Sequence, residues 1–345
     1  MGRARHAADR SETLFVPVPA GRSTFLGLSR FDESSAAPDI ALLGVPYGVP
    51  YAGLGPELPS AAAPGALREA SLSFQPYYRN FDVDFDGDLF AGCDLVLVDA
   101  GDVALVPGDP AGNLERIRTA VRVLLDRGAI PFVLGGDHAV TVPVLRAYEH
   151  ARQLCVVQID AHLDWRDEVE GVREGFSSPM RRASELPWVR AIVQVGLRGA
   201  GSGREAEFRA AREWGSILIP ARTVHEHGVN WVLERLPDAE GYYVTIDADG
   251  IDPSIMPGVN APAPGGLLYW QVFDLLRGIA RRGRVVGLDL VEIAPHRDPS
   301  GITLAHGVRF LLVAIGALAH ERRFGSCRED DRGEMDATTR YLSDS

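Results

Sequence analysis

Eight short apolar runs, separated by segments of helical periodicity, set the strongest limit on what this chain can fold into. The runs are Ile40–Val45, Leu95–Val98, Pro131–Leu134, Cys155–Ile159, Ala191–Val195, Ser216–Ile219, Tyr242–Ile246 and Val285–Val291. Between two of them, Asn113–Asp126 places Leu114, Ile117, Val121 and Leu124 on one side, the spacing of an amphipathic helix. Apolar strands alternating with such helices imply a three-layer α/β fold, a mainly parallel sheet of about eight strands covered on both faces. Residues 1–35 carry little apolar periodicity and read as an N-terminal arm, residues 36–324 as one domain, and residues 325–345 as a polar tail.

The 345 residues are 46% hydrophobic and 24% charged, the balance of a globular chain. A formal net charge of −12 argues against nucleic acid or an anionic membrane surface as the main partner. No apolar run approaches the roughly 20 residues of a membrane span, and the polar start Met1–Arg10 leads into no apolar signal segment. Three cysteines, Cys93, Cys155 and Cys327, lack the spacing of a disulfide framework. Cys155 reads as a small buried hydrophobe, and a reducing cytoplasm fits.

Four of the apolar runs end in metal-ligand side chains: Gly135-Gly136-Asp137-His138, Asp160-Ala161-His162-Leu163-Asp164, Asp247-Ala248-Asp249 and Val291-Glu292. Alone, each has a plainer reading: Asp164 as a helix cap, Asp-Gly and Asp-Pro as turns, Gly-Gly as a tight loop. Together they bring imidazoles and carboxylates, without thiolate, to the C-terminal ends of strand candidates, where open parallel sheets bind ligands. A mixed N/O set rich in carboxylate suits a hard to borderline divalent ion such as Mn²⁺. The number of ligands suffices for two ions, which favours metal-assisted hydrolysis.

The segments GGDH, DAHLD, IDADGIDP and VEIAP, in this order, with QVGLRG and PGVNAPAPGG between them, resemble the ureohydrolase family of arginases and agmatinases, and the agmatinase-like branch most. The resemblance runs from about Ile40 to Ala319. It implies an arginase-like fold, two Mn²⁺ per chain (Ni²⁺ or Zn²⁺ as substitutes), a cytoplasmic homo-trimer or homo-hexamer, and a small cationic guanidino substrate. His138 and Asp164 match the ligands of one metal, His162 and Asp249 those of the other, and Asp160 and Asp247 the carboxylates that touch both. The implied reaction cleaves a guanidino compound (agmatine, guanidinobutyrate, guanidinopropionate or similar) to urea and an amine by attack of a metal-bridging hydroxide. Asp164 then also passes a proton to the leaving amine, and Glu292 holds the guanidinium by charge-assisted hydrogen bonds. Formiminoglutamate-type hydrolysis, or a non-catalytic subunit of a hetero-oligomer, are the alternatives.

Two departures stand out. Relatives with a segment like HGTPFR use its histidine to shuttle protons; here Phe176-Ser177-Ser178-Pro179-Met180-Arg181 aligns with it, and Ser177 replaces the imidazole. His225, His227, His296 and His306 are the candidates to substitute for it in space. The loop Gly44–Tyr51 carries Tyr47 and Tyr51, which can line a pocket, and Trp165 and Arg166 directly after DAHLD alter the entrance; Arg166 is placed to meet a substrate carboxylate or to pair with Asp167 or Glu168. Asp99 and Asp102 read as turn residues or as residues that support the site ligands from behind, and Asp289 as structural.

Overall fold

The structure, a computed structural model, describes residues 14–324 other than 20–21, 33–35, 50, 52–58 and 322. Pro50, Cys327, the tail from Gly325 and most of the N-terminal arm therefore lie outside the described residues.

The strands are β1 (Phe15–Val16), β2 (Ser29–Arg30), β3 (Ile40–Val45), β4 (Phe81–Asp82), β5 (Gly87–Asp88), β6 (Leu97–Val103), β7 (Ile130–Gly135), β8 (Leu154–Ile159), β9 (Val189–Leu197), β10 (Ile217–Pro220), β11 (Gly241–Asp247) and β12 (Val285–Val291). Ten of them form one sheet in the order β1-β6-β3-β7-β12-β11-β8-β9-β10, with β2 also on β6. All pairs in it are parallel except β1 with β6. The eight expected strands are all there, and β1 and β2 add two short ones; β4 and β5 pair separately.

The helices are α1 (Ala63–Ser71), α2 (Pro110–Asp126), α3 (Thr141–Arg146), α4 (Pro179–Ala183), α5 (Glu205–Trp214), α6 (Ala221–His227), α7 (Val229–Leu233), α8 (Tyr269–Arg282) and α9 (Ile302–His320). They cover both faces of the sheet. Period-2 alternation sends Leu42, Phe132 and Leu134 into one core with Leu67 of α1, Leu276 of α8 and Leu312 of α9. Leu43 and Val133 go to the other core, with Ile117 and Val121 of α2, Val144 of α3 and Ala211 of α5. Strands apolar on both faces satisfy both layers at once. Helix α2 starts at Pro110, three residues before the expected Asn113, because Asp109 caps it by accepting from the Gly112 amide (3.0 Å) and Pro110 suits the first turn.

Three expectations are corrected. By length and composition α9 is apolar enough to cross a membrane, yet most of it is buried in the core, and its Arg309 pairs with Asp82 (2.6 Å) and Asp84 (2.7 Å). It is the central helix of a core. Asp99 and Asp102 lie in β6, not in a turn: Gly101 takes φ +76° there, where the pairing of β6 with β3 is irregular. The Arg68 guanidinium binds Asp99 through Nε (2.8 Å) and Nη2 (3.0 Å) and Asp102 through Nη1 (2.6 Å), tying α1 to the sheet. Cys155 is buried and free, whereas Cys93 is disulfide-bonded, where no cross-link was expected.

Candidate metal centre

The four motif-bearing strands, β7, β12, β11 and β8, are consecutive neighbours in the sheet. Because they run parallel, their C-terminal ends meet at one edge, and each leaves the sheet there with a polar segment. Two glycines allow the exits to crowd together. A Cβ on Gly136 would lie 1.8 Å from the Tyr47 carbonyl oxygen, and one on Gly250 would lie 2.7 Å from the Asp160 amide nitrogen. No side chain fits at either place.

Two compact groups of ligand atoms result, His138-Asp160-Asp164 and Asp160-His162-Asp249, sharing Asp160. His138 Nδ1 lies 3.1 Å from Asp160 Oδ2, 2.9 Å from Asp164 Oδ2 and 3.1 Å from Asp247 Oδ2. His162 Nδ1 lies 3.4 Å from Asp160 Oδ1 and 3.1 Å from Asp249 Oδ2. Asp247 thus faces the first group, while its Oδ1 accepts the Asp249 amide (2.8 Å). Asp164 caps no helix; it takes φ +51°, and its carbonyl accepts the amides of Met180 and Arg181 (both 3.1 Å).

The donor set fits a cation. His138 Nδ1 is buried among three carboxylates yet makes no hydrogen bond, and its Nε2 sits 2.9 Å from Thr245 Oγ1. With the proton on Nε2, Nδ1 presents a lone pair to a ring of carboxylate oxygens, an arrangement that requires positive charge between them. Protons supply it in the ion-free chain. Burial opposes charge on His138, but the carboxylates of Asp160, Asp164 and Asp247 outweigh it and hold the imidazole well above its usual range. Burial and then Asp160 push Asp164 up to about 7. Burial likewise raises Asp247 and Asp249, while Asp160, buried too, is held far below the usual range by the two imidazoles.

Beneath the ligands runs a row of buried polar side chains that the strand patterns did not reveal. Asp289 of β12 is in register with Thr245 of β11, Thr245 with Gln158 of β8, and Gln158 with Gln194 of β9. Gln158 Nε2 donates to Asp160 Oδ2 (2.5 Å) and Asp164 Oδ2 (3.3 Å), and its Oε1 accepts from Gln194 Nε2 (2.6 Å). Asp289 accepts from Thr141 (2.9 Å) and Tyr243 (2.6 Å). The row holds the ligands from below. Its signal in sequence is Gln158 itself, a polar residue two positions before Asp160 in an otherwise apolar strand.

Above the ligands opens a cavity of about 490 Å³ lined by His162, Asp164, Asp247, Asp249 and Glu292 among others. Glu292 takes φ +63°. Its Oε1 accepts the His138 amide (2.8 Å), and its Oε2 accepts from Ser60 Oγ (3.3 Å) and Asn260 Nδ2 (3.3 Å). Burial and the neighbouring Asp137 push its carboxyl up to about 8. Asp137 is itself raised to about 6 by burial and, like Ser60 and Asn260, is a cavity residue the motifs did not single out. Tyr47, Trp165, Arg166 and Ser177 line the cavity as well. Arg166 does not pair with Asp167 or Glu168; its nearest carboxylate is Glu207 (3.9 Å). Tyr51 packs on Phe176 and accepts the Ser177 amide (3.1 Å). None of His225, His227, His296 and His306 lines this cavity. His225 meets the Gly266 carbonyl (2.9 Å), His227 stacks on Trp231, His296 is exposed beside Arg297, and His306 meets the Ile302 carbonyl (2.9 Å). No imidazole takes the place of the one missing at Ser177 among the described residues.

A family model described as the arginase family matches residues 38–316. The chain is 32% identical over 263 residues to an agmatinase of Bacillus subtilis, covering 74% of this chain and 86% of that one. It is 32% identical over 311 residues to a guanidinopropionase of Pseudomonas aeruginosa, covering 88% and 94%. Among solved structures, proclavaminate amidino hydrolase from Streptomyces clavuligerus superposes with a TM-score of 0.75 at 29% identity, over 87% of this chain and 97% of that one. A matching family model across most of the chain, two relatives of this identity and one shared fold lead to a single assignment: the chain belongs to the arginase family, in its agmatinase-like branch, and is an amidinohydrolase.

Proposed function

We propose that this chain hydrolyses a guanidino compound to urea and an amine, with His138 and Asp164 holding one divalent cation, His162 and Asp249 the other, and Asp160 and Asp247 touching both. The observation that carries the reading is Asp160, whose two oxygens lie 3.1 Å and 3.4 Å from the imidazoles of His138 and His162. Mn²⁺ is the ion this carboxylate-rich set favours. When bound, two such cations lower the pKa of water and neutralise developing negative charge.

The chain's own groups supply the rest. Glu292, its carboxyl raised to about 8 by burial and Asp137, ionises beside a guanidinium, and its fixed carboxylate orients the cation by charge-assisted hydrogen bonds. Asp164, whose carboxylate lines the cavity beside His138 (2.9 Å), would take a proton from the attacking water and return it to the leaving amine. With Ser177 unable to titrate near neutral pH, Asp164 carries that transfer without an imidazole partner. The family resemblance adds the setting, a homo-trimer or homo-hexamer in the cytoplasm.

The test is urea release by Mn²⁺-loaded protein against a panel of guanidino compounds, with Asp160→Asn beside it. Urea from one compound, lost in the variant, supports the reading. Absence of urea from every compound, with two metals bound per chain, overturns it.

A further inference from the structure

The cavity is acidic at its buried end and rich in hydrogen-bond donors elsewhere. Its carboxylates at the floor are all at most 8% exposed. Two arginines line the same cavity nearer to solvent, Arg166 half-buried and Arg297 exposed. Among the described residues no carboxylate lies within hydrogen-bond distance of either: Arg166 Nε is 3.9 Å from Glu207 Oε1, and Arg297 bonds the Asn260 carbonyl (3.0 Å) and the ring of His296 (3.3 Å). Glu207, on the same cavity wall, turns its Oε2 to the Arg204 amide (2.7 Å) and keeps its Oε1 beyond hydrogen-bond reach of Arg166.

We propose that the substrate is a guanidino acid, its guanidinium at the acidic floor and its carboxylate received by Arg166 and Arg297. This deepens the amidinohydrolase reading and rests on it. A carboxylate brings acceptors and negative charge to the two arginines. An ammonium tail brings only donors and positive charge to them.

The experiment compares kcat/KM for urea release from guanidinobutyrate, agmatine and uncharged propylguanidine, which have chains of near-equal length, and repeats it with guanidino acids and amines of other lengths. The acid is expected to exceed the amine by about tenfold or more at its best length, the worth of one charge-assisted contact. Arg166→Gln and Arg297→Gln each narrow that ratio, mainly through KM, and Arg297→Glu shifts it towards the amine. Urea released preferentially from agmatine, or a preference for the acid unchanged in both glutamine variants, overturns the assignment while leaving the amidinohydrolase intact. Urea from no compound overturns both.

Discussion

Replacing Gln158 by methionine tests whether the polar row beneath the ligands sets the affinity of the site. Methionine matches glutamine in length and keeps the core filled, so the change removes hydrogen bonds rather than volume. Lost are the donations to Asp160 Oδ2 (2.5 Å) and Asp164 Oδ2 (3.3 Å). Gln194 keeps its second acceptor, the Leu163 carbonyl (2.7 Å), and its own contact from Ser216 (3.0 Å), so the row loses one member without unravelling. The folding penalty of the ion-free chain should be about 1 kcal/mol. The larger effect falls on metal binding, because the amide orients the one carboxylate common to both ligand groups. Loss of such an orienting partner typically weakens metal binding about 10- to 100-fold, or roughly 1.4–2.7 kcal/mol. Calorimetric titration of Mn²⁺ into chelator-stripped protein reads this directly, and thermal melts of the same samples report the folding penalty. An affinity within about twofold of the parent, with Asp160→Asn weakened as expected, would refute the reasoning. The amide of His162, which reaches Asp160 Oδ1 at 2.5 Å, would then suffice to orient that carboxylate.

Two more outcomes follow from the same geometry. In the ion-free protein Glu292 is raised to about 8 and Asp164 to about 7, both by burial first, so the folded chain keeps protons that the unfolded chain has released above pH ~4.5. Folding then takes up protons, and stability falls as pH rises from about 5 to 8, by up to ~1.4 kcal/mol per pH unit for each group; denaturant unfolding with chelator at pH 6 and 8 checks this, and a stability that rises with pH contradicts it. Asp99→Ala leaves the Phe25 amide (2.8 Å) and the Arg68 Nε without a partner while Asp102 (2.6 Å) and the Gly101 carbonyl (2.8 Å) still hold the guanidinium, which costs about 1–3 kcal/mol of stability. Metal affinity should survive, since neither residue lines the cavity; a denaturation midpoint equal to the parent's would count against the ion pair as a structural tie.

The metal ligands were legible because the chemistry leaves few substitutes: imidazoles and carboxylates at the ends of apolar runs have a restricted vocabulary. What the chain order hides is adjacency. β12, the last strand in sequence, inserts between β7 and β11, and only that insertion carries Glu292 to the backbone of His138. The polar row was illegible for a related reason. Gln158, Gln194, Thr245 and Asp289 each read as a single polar residue tolerated in an apolar strand, and only cross-strand register makes them one structure. Asp99 and Asp102 misled in the opposite direction. A glycine between carboxylates has the composition of a turn, whereas Gly101 bends a continuing strand, and a Cβ there would meet the Val16 carbonyl at 2.3 Å.

The site also explains why the fold spends so many polar groups below the sheet edge. Four buried carboxylates, those of Asp164, Asp247, Asp249 and Glu292, line one cavity with that of Asp160 buried against them, and at neutral pH their mutual repulsion opposes folding unless protons or cations intervene. Asp164 and Glu292 further adopt left-handed backbone conformations that side chains resist, at φ +51° and +63°. Each strained residue is fixed from several sides: Asp164 by two amides on its carbonyl, Glu292 by an amide, a hydroxyl and a side-chain amide on its carboxylate. The local cost is therefore met by contacts from α4, β7 and the segments before α1 and α8, drawn from across the chain. Binding of cations relieves the repulsion that these contacts restrain, so metal affinity and folding stability draw on the same free energy. A substitution that relaxes the carboxylate cluster should stabilise the ion-free chain and weaken metal binding together, and that opposition in sign separates a metal centre from a merely tolerated acidic core.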